Sequence, residues 1–182
     1  MVYEMSDRLT KLDWIRHGLR TLASEGPSAL RVEPMATKLK VSRGSFYWHF
    51  RDIGDFRSQL LQSWRERATD QVIRDLEAHW TGQDRLKNLI RQAFGGRRNL
   101  DGAIRSWAAE DKDVATVVAA VDLKRIAHIE KLLVEAGIKN ELARHRAAFL
   151  YWAYVGHPLV RGTQVSSLSS LAVDDISQLL QT

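Results

Sequence analysis

Val32-Glu33-Pro34-Met35-Ala36-Thr37-Lys38-Leu39-Lys40-Val41-Ser42-Arg43-Gly44-Ser45-Phe46-Tyr47-Trp48-His49-Phe50 is the stretch on which the reading of this 182-residue chain turns. Its first part predicts a short helix, Val32 to Leu39. Pro34 lies in the first turn, where a missing N–H costs little, and Met35 and Leu39 turn inward. Lys40-Val41-Ser42 has the length of a turn between two short helices, and Ser42 is placed to cap the second, Arg43 to His49. On that second helix Phe46 and Phe50 are four apart, fall together and can anchor in a small core. Arg43, Gly44, Ser45, Tyr47 and Trp48 then point elsewhere. From Arg31 to Arg51 there are five basic residues (Arg31, Lys38, Lys40, Arg43, Arg51) against one acid, Glu33, so most of the chain's net charge of +5 sits here. A basic stretch is most often a solvated face, but two adjacent aromatics on an exposed face need a reason. A major groove supplies one: it admits a single helix, arginine can pair with guanine, and hydroxyls and helix N-terminal N–H groups can hold phosphates. Two short helices joined by a tight turn, the second bearing this face, form a helix-turn-helix.

Outward from this stretch the period stays helical. Leu9, Leu12, Ile15, Leu19 and Leu22 share a face of a preceding helix that Ser6 could cap and Gly26-Pro27 closes. Downstream, Ile53, Phe56, Leu60, Trp64, Ala68, Val72, Leu76 and Trp80 predict one helix of about seven turns, ending near Thr81-Gly82. Further stripes run through Leu86 to Phe94, Ile104 to Ala108, Val114 to Leu133, Leu142 to Val160 and Leu168 to Leu180. No segment alternates with period two. The expected fold is all-α with about nine helices: a helix-turn-helix region over residues 1–52, then a further helical region over 53–182.

Composition narrows the field further. Apolar residues make up 45% and charged ones 27%, the balance of an ordinary globular chain. With no cysteine there is no disulfide scaffold, thiolate metal site or cysteine nucleophile. No apolar run is long enough to span a membrane, the first residues lack a signal-peptide pattern, and a cytoplasmic location is expected. There is no phosphate-loop lysine motif, nucleophile elbow or zinc-protease helix motif, so nothing nominates an enzyme or a cofactor.

The quoted stretch resembles the tetracycline-repressor-like (TetR/AcrR) bacterial transcriptional regulators. The likeness spans about Leu9 to Phe56 and rests on Ser42-Arg43-Gly44-Ser45-Phe46-Tyr47-Trp48-His49-Phe50. It implies a homodimer that responds, as a repressor, to a small-molecule ligand: an N-terminal three-helix DNA-binding domain over residues 1–52 meets a palindromic operator in double-stranded DNA, and residues 53–182 form a helical ligand-binding and dimerisation domain. It also implies that Arg43, Gly44 and Ser45 meet bases, that Tyr47 and His49 meet phosphates, and that Trp48 packs on a sugar or a thymine methyl. Arg31, Lys38 and Arg51 complete the expected basic rim. Two positions depart from the family pattern. Lys40 stands where a glycine is usual, and a left-handed lysine costs about 1 kcal/mol. Ile53 stands where the family often has a phosphate-gripping lysine, which Arg51 and the helix N-terminus could replace. These departures leave a second reading, a helical ligand-binding or adaptor protein that no longer reads DNA.

The remaining candidates are weaker. Trp64, Phe94 and Trp107 could line a ligand pocket, although plain core packing is the default for aromatics on apolar stripes. Phe149, Trp152 and Gly156, with Ala147, Ala148 and Ala153 beside them, could belong to a helix buried within the chain; with Leu171 and Leu179 in the last helix they suggest instead a dimer face, the favoured reading. His128, His145 and His157 form no pair at metal-ligand spacing, and no metal site is expected. Asp111 and Asp113 read as cap or loop acids. His157-Pro158 could bend its helix near the end. Gly95-Gly96-Arg97-Arg98 could form an anion nest but more often is a loop with solvated arginines.

Overall fold

A computed structural model describes residues 9–95, 99–160 and 168–180 of the chain. These residues form only helices and connections: α1 Lys11–Glu25, α2 Val32–Leu39, α3 Arg43–Tyr47, α4 Ile53–Arg65, α5 Gln71–His79, α6 Gln83–Gly95, α7 Asn99–Ala108, α8 Lys112–Glu135, α9 Asn140–Gly156 and α10 Ser170–Leu179. A π-turn, Glu66–Asp70, joins α4 to α5. Counted as one interrupted rod, that pair leaves nine helices among the described residues, as expected from the period.

The chain divides into two units. Among the described residues the first holds 9–66 and 99–117, and the second holds 67–95, 118–160 and 168–180.

The first unit is built on aromatic packing. Trp14, Phe46 and Phe56 are wholly buried, as is nearly all of Phe50. Phe46 meets Trp14 edge-on at 5.3 Å between ring centroids, and lies 5.0 Å from Phe50 and 5.4 Å from Phe56. Edge-to-face pairs of this kind contribute roughly 0.5–1.5 kcal/mol each beyond the area they bury. α1 approaches α4 closely at Gly18, where a Cβ would lie 2.5 Å from Phe56 Cζ. α1 begins at Lys11, capped by Thr10 in a reciprocal capping box with Asp13. Ser6, the expected cap, lies outside the described residues. Leu9 precedes the helix, and Leu12, expected on the inner face, is 42% exposed.

The long predicted helix needs a correction. Its inner stripe does not run Trp64, Ala68, Val72. Thr69 is buried in place of Ala68, and Trp80 is 41% exposed. The π-turn is the cause: a wider turn carries one extra residue, so the inward position after Trp64 comes five residues later rather than four. In the second unit Arg125 of α8 clasps this turn. Its Nε donates to Thr69 Oγ1 at 2.9 Å and its Nη2 to the Ala68 carbonyl at 3.1 Å. Its guanidinium also lies over the Tyr154 ring.

The second unit's core gathers Leu86 and Ile90 of α6, Ile129, Leu132 and Leu133 of α8, Ala143, Ala147 and Leu150 of α9, and Val173 of α10. Tyr151 donates to Asp122 Oδ1 at 2.6 Å, and Lys87 pairs with Asp174 at 2.8 Å to tie α6 to α10. Asp111 Oδ1 accepts from the N–H groups of Asp113 and Val114 and so caps α8, the cap role expected of it. α9 gives way at His157-Pro158 to a single 3-10 turn. No helix among the described residues is long and apolar enough to cross a membrane.

Candidate nucleic-acid interface

α2 has the boundaries its sequence predicts, because both ends are specified locally. Pro34 sits in its first turn, and Lys40 terminates it in the left-handed conformation, φ 56° and ψ 41°. There the Lys40 and Val41 N–H groups return to the Thr37 and Ala36 carbonyls at 3.1 and 3.0 Å. Lys40 is the one non-glycine with positive φ among the described residues, so the backbone keeps the turn geometry without the glycine that would relax it. Ser42 occupies the N-cap position of α3 with extended backbone. Its hydroxyl makes no capping hydrogen bond, which corrects the expectation that its side chain would cap the helix. α3 also stops at Tyr47, two residues before the predicted end, and His49 lies in the following turn.

Helical spacing sorts α3 and the turn after it into two faces. Phe46 and Phe50 are buried, and Ser45 and His49 beside them are half-buried. Ser45 Oγ accepts from the Trp14 indole N–H at 3.4 Å, and His49 Nε2 lies 2.8 Å from the Leu9 carbonyl oxygen. On the other side Arg43 and Gly44 are exposed, Tyr47 is half exposed, and Trp48 is 80% exposed. Of the residues expected at DNA, then, Arg43, Gly44, Tyr47 and Trp48 form one outward surface, while Ser45 and His49 engage α1.

The rim residues differ in availability. Arg31 is exposed at the N-cap of α2. Lys38 pairs with Glu25 at the end of α1, which offsets its charge. Arg51 keeps an 84% exposed side chain although its Nε touches Asp52 at 3.2 Å. The sequence reading missed Lys11, whose ammonium lies 5.5 Å over the Phe50 ring and adds positive charge beside the end of α3. Nothing local to Lys11 signals that proximity, since the two residues meet only through the packing of α1.

The start of α4 is a second correction. Asp52 Oδ1 accepts from the Asp55 N–H at 2.8 Å, and Asp55 Oδ2 accepts from the Arg51 N–H at 3.0 Å. The Asp55 backbone N–H, and then Arg51, hold the Asp52 carboxyl below its ordinary range. Gln59, and then the Arg51 N–H, do the same for Asp55. The Asp52 carboxylate therefore takes up an N-terminal N–H of α4, and Asp55 adds a second negative charge where a phosphate was expected in place of the missing lysine. Arg51 remains at that position to offer positive charge.

The expected pocket residues are distributed over both units. Trp64 and Trp107 are buried in the first, where Trp64 Nε1 donates to Asp101 Oδ1 at 2.7 Å and the Arg57 guanidinium lies over Trp107. Phe94 belongs to the second and meets the rings of His157 at 5.4 Å and Tyr154 at 6.5 Å. Of the expected dimer residues, Phe149 and Trp152 are 65% and 67% exposed on α9, and Leu171 and Leu179 are exposed on α10. Gly156 is half-buried, and Ala147 faces the core rather than this surface. Of the Gly95-Gly96-Arg97-Arg98 run, residues 96–98 lie outside the described residues. Among the described residues no cluster of histidine and carboxylate side chains could hold a metal ion.

Two short helices joined by a tight turn, followed by further helices, form a fold that solved structures share. The reduced form of NemR from E. coli superposes with a TM-score of 0.75 at 15% identity, covering 92% of this chain and 96% of that one. A protein from Saccharomonospora viridis assigned as a transcriptional regulator, and solved in complex with choline, gives 0.69 at 15% identity, covering 93% and 92%. Neither a protein-family model nor a curated protein sequence matches the chain, so the likeness is one of fold.

Proposed function

We propose that this protein is a DNA-binding transcriptional regulator, a ligand-responsive repressor of the tetracycline-repressor type that binds a palindromic operator as a homodimer. The observation that carries the reading is the outward surface of α3, where Arg43, Tyr47 and Trp48 stand exposed on a helix whose opposite side is locked into an aromatic core. An exposed tryptophan beside an arginine is costly to leave in water and well suited to a groove edge. Arg43, at the N-terminal end of α3, reads a base, Tyr47 holds a phosphate, and Arg31 and Arg51 add non-specific attraction. Twofold symmetry is supported by the apolar surface of α9 and α10, since two half-sites need two recognition helices. The effector is a small molecule held by the helices that follow the helix-turn-helix, and a structural neighbour crystallised with choline is consistent with such a role.

Selection of bound sequences from a random double-stranded DNA library tests the reading. Enrichment of a palindrome whose half-sites lie about one helical turn apart supports it. Recovery of no sequence preference, with salt-dependent binding to any DNA or none, turns the assignment toward a helical ligand-binding or adaptor protein.

A further inference from the structure

Resting on the DNA-binding reading above, we infer that His49, together with Ser45 one turn before it, is a positioning residue: it ties the recognition helix to α1 and leaves the nucleic acid to Arg43, Gly44, Tyr47 and Trp48. α3 is a five-residue helix, too short to persist on its own. Phe46 and Phe50 anchor its inner side, and small rotations about the helix axis call for a further constraint. Hydrogen bonds are directional and supply that constraint. Both polar contacts of this segment's inner side run to the α1 region: Ser45 to Trp14, and His49 to Leu9 just ahead of the Thr10 cap. A small rotation of α3 would swing the Arg43 guanidinium away from any base edge it reads, so these two bonds govern the aim of the outward face.

The chemistry of each contact favours this role over phosphate binding. A backbone carbonyl only accepts, so His49 Nε2 carries the proton in the 2.8 Å bond to Leu9. In the neutral ring Nδ1 is then a lone pair, which repels a phosphate oxygen. The Trp14 indole is a donor with no acceptor capacity and is wholly buried, so the Ser45 hydroxyl satisfies a group that would otherwise be unpaired in the core.

The test compares His49→Ala and His49→Gln, the second keeping an N–H donor at similar reach, in the full chain. The first readout needs no DNA: trypsin cleavage after Lys11, at the start of α1, under native conditions. Loss of one hydrogen bond of ordinary net strength should raise that rate roughly two- to tenfold in His49→Ala. His49→Gln should restore it, and cleavage after Lys87 or Lys131 in the second unit should stay unchanged, which separates a local release from global unfolding. The second readout uses the selected operator carrying a methylphosphonate at each phosphate in turn. The inference expects His49→Ala to weaken matched and single-base-changed sites by the same factor, to be rescued by Gln, and to be additive with every methylphosphonate. An unchanged cleavage rate overturns the inference, as does an affinity loss that disappears when one particular phosphate is neutralised. If the wild-type protein selects no operator, the regulator reading fails, while the cleavage comparison still decides whether His49 is a tether.

Discussion

α3 and α9 both hold aromatic side chains out to solvent, and the difference between their surroundings is instructive. On α3, Tyr47 and Trp48 stand with Arg43, near Lys40 and Arg51. On α9, Phe149 and Trp152 share a face with Leu142 and Ala153, and exposed Leu159 and Val160 follow the helix. Exposure alone says that each surface lacks a partner in the isolated chain. The neighbouring charge indicates which partner would suit it: a polyanion for the first and another apolar protein surface for the second. Buried tryptophans show the contrasting case, since Trp14 and Trp64 each find a side-chain oxygen for the indole N–H.

The comparison breaks most sharply at Trp152. Replacing it with glutamate puts a charge at the centre of the proposed self-association surface. Dimerisation should weaken by about 2–4 kcal/mol, the range for an aromatic anchor, with little change in the fold of each protomer. Sedimentation equilibrium measures this directly. A wild-type protein that stays monomeric at every concentration tested would remove the twofold symmetry from the reading of α9.

On α3 the same logic calls for two different signatures. Arg43→Ala should cost about 1–3 kcal/mol on the preferred operator and relax preference at one base position. Tyr47→Phe, which removes only a hydroxyl, should weaken all sites alike and leave preference intact. Binding isotherms on matched and single-base-changed duplexes at two salt concentrations distinguish them. If both substitutions leave affinity and preference untouched, the outward face of α3 is not a reading head.

Much of the fold was legible because its signals are local. α2 has a proline at its start and a turn residue at its end, and Phe46 and Phe50 announce their common burial by spacing. What stayed hidden depends on partners distant in the chain. Trp64, Ala68, Val72 fits a regular helix as well as Trp64, Thr69, Val72 fits one with a π-turn, and only Arg125 reveals that Thr69 is the inward residue. Ser45 was expected at bases and His49 at phosphates, because the resemblance pointed both outward. The acceptor at Leu9 and the donor at Trp14, visible only once α1 is packed, point them inward. The carboxylates at the start of α4 could have been read from Asp52 and Asp55 as a capping pair, and that signal weakens the expected phosphate site there.

The aim of α3 also depends on the rigidity of what it stands on, and two glycines probe that. Gly18→Ala forces a methyl into the Phe56 ring at 2.5 Å and should destabilise the protein by about 1–3 kcal/mol. Gly102, on the exposed side of α7, has nothing within 4 Å of its missing Cβ, and Gly102→Ala should be stabilising by roughly 0.5–1 kcal/mol. Urea unfolding of the two variants gives both signs in one assay. A neutral Gly18→Ala would show that α1 and α4 can move apart and that the platform under α3 is soft.

Histidines in the two units sharpen the comparison last and most finely. Burial is the main cause that holds both His17, in the first unit, and His128, in the second, below the ordinary histidine value of 6.5. Each has a buried Nε2 without a hydrogen-bond partner. Arg20 and Lys38 add to the effect at His17 against Glu25. At His128, Lys131 and Arg85 add to it against Glu77 and Glu135. Protonation is thus disfavoured in the folded state, and the unfolded chain binds more protons below pH 6.5, so stability should fall as the pH drops from about 7 toward 5. The carboxylates held low, Asp13, Asp52, Asp55 and Glu77, act in a separate window near and below pH 4, where their loss of charge destabilises the fold. His128 is the more deeply buried of the two histidines, so His128→Gln should flatten the slope between pH 7 and 5 more than His17→Gln does. Denaturation midpoints measured across that range test this. Equal slopes in the wild type and both variants would mean that neither ring stays neutral through burial, and that the two units meet acid in the same way.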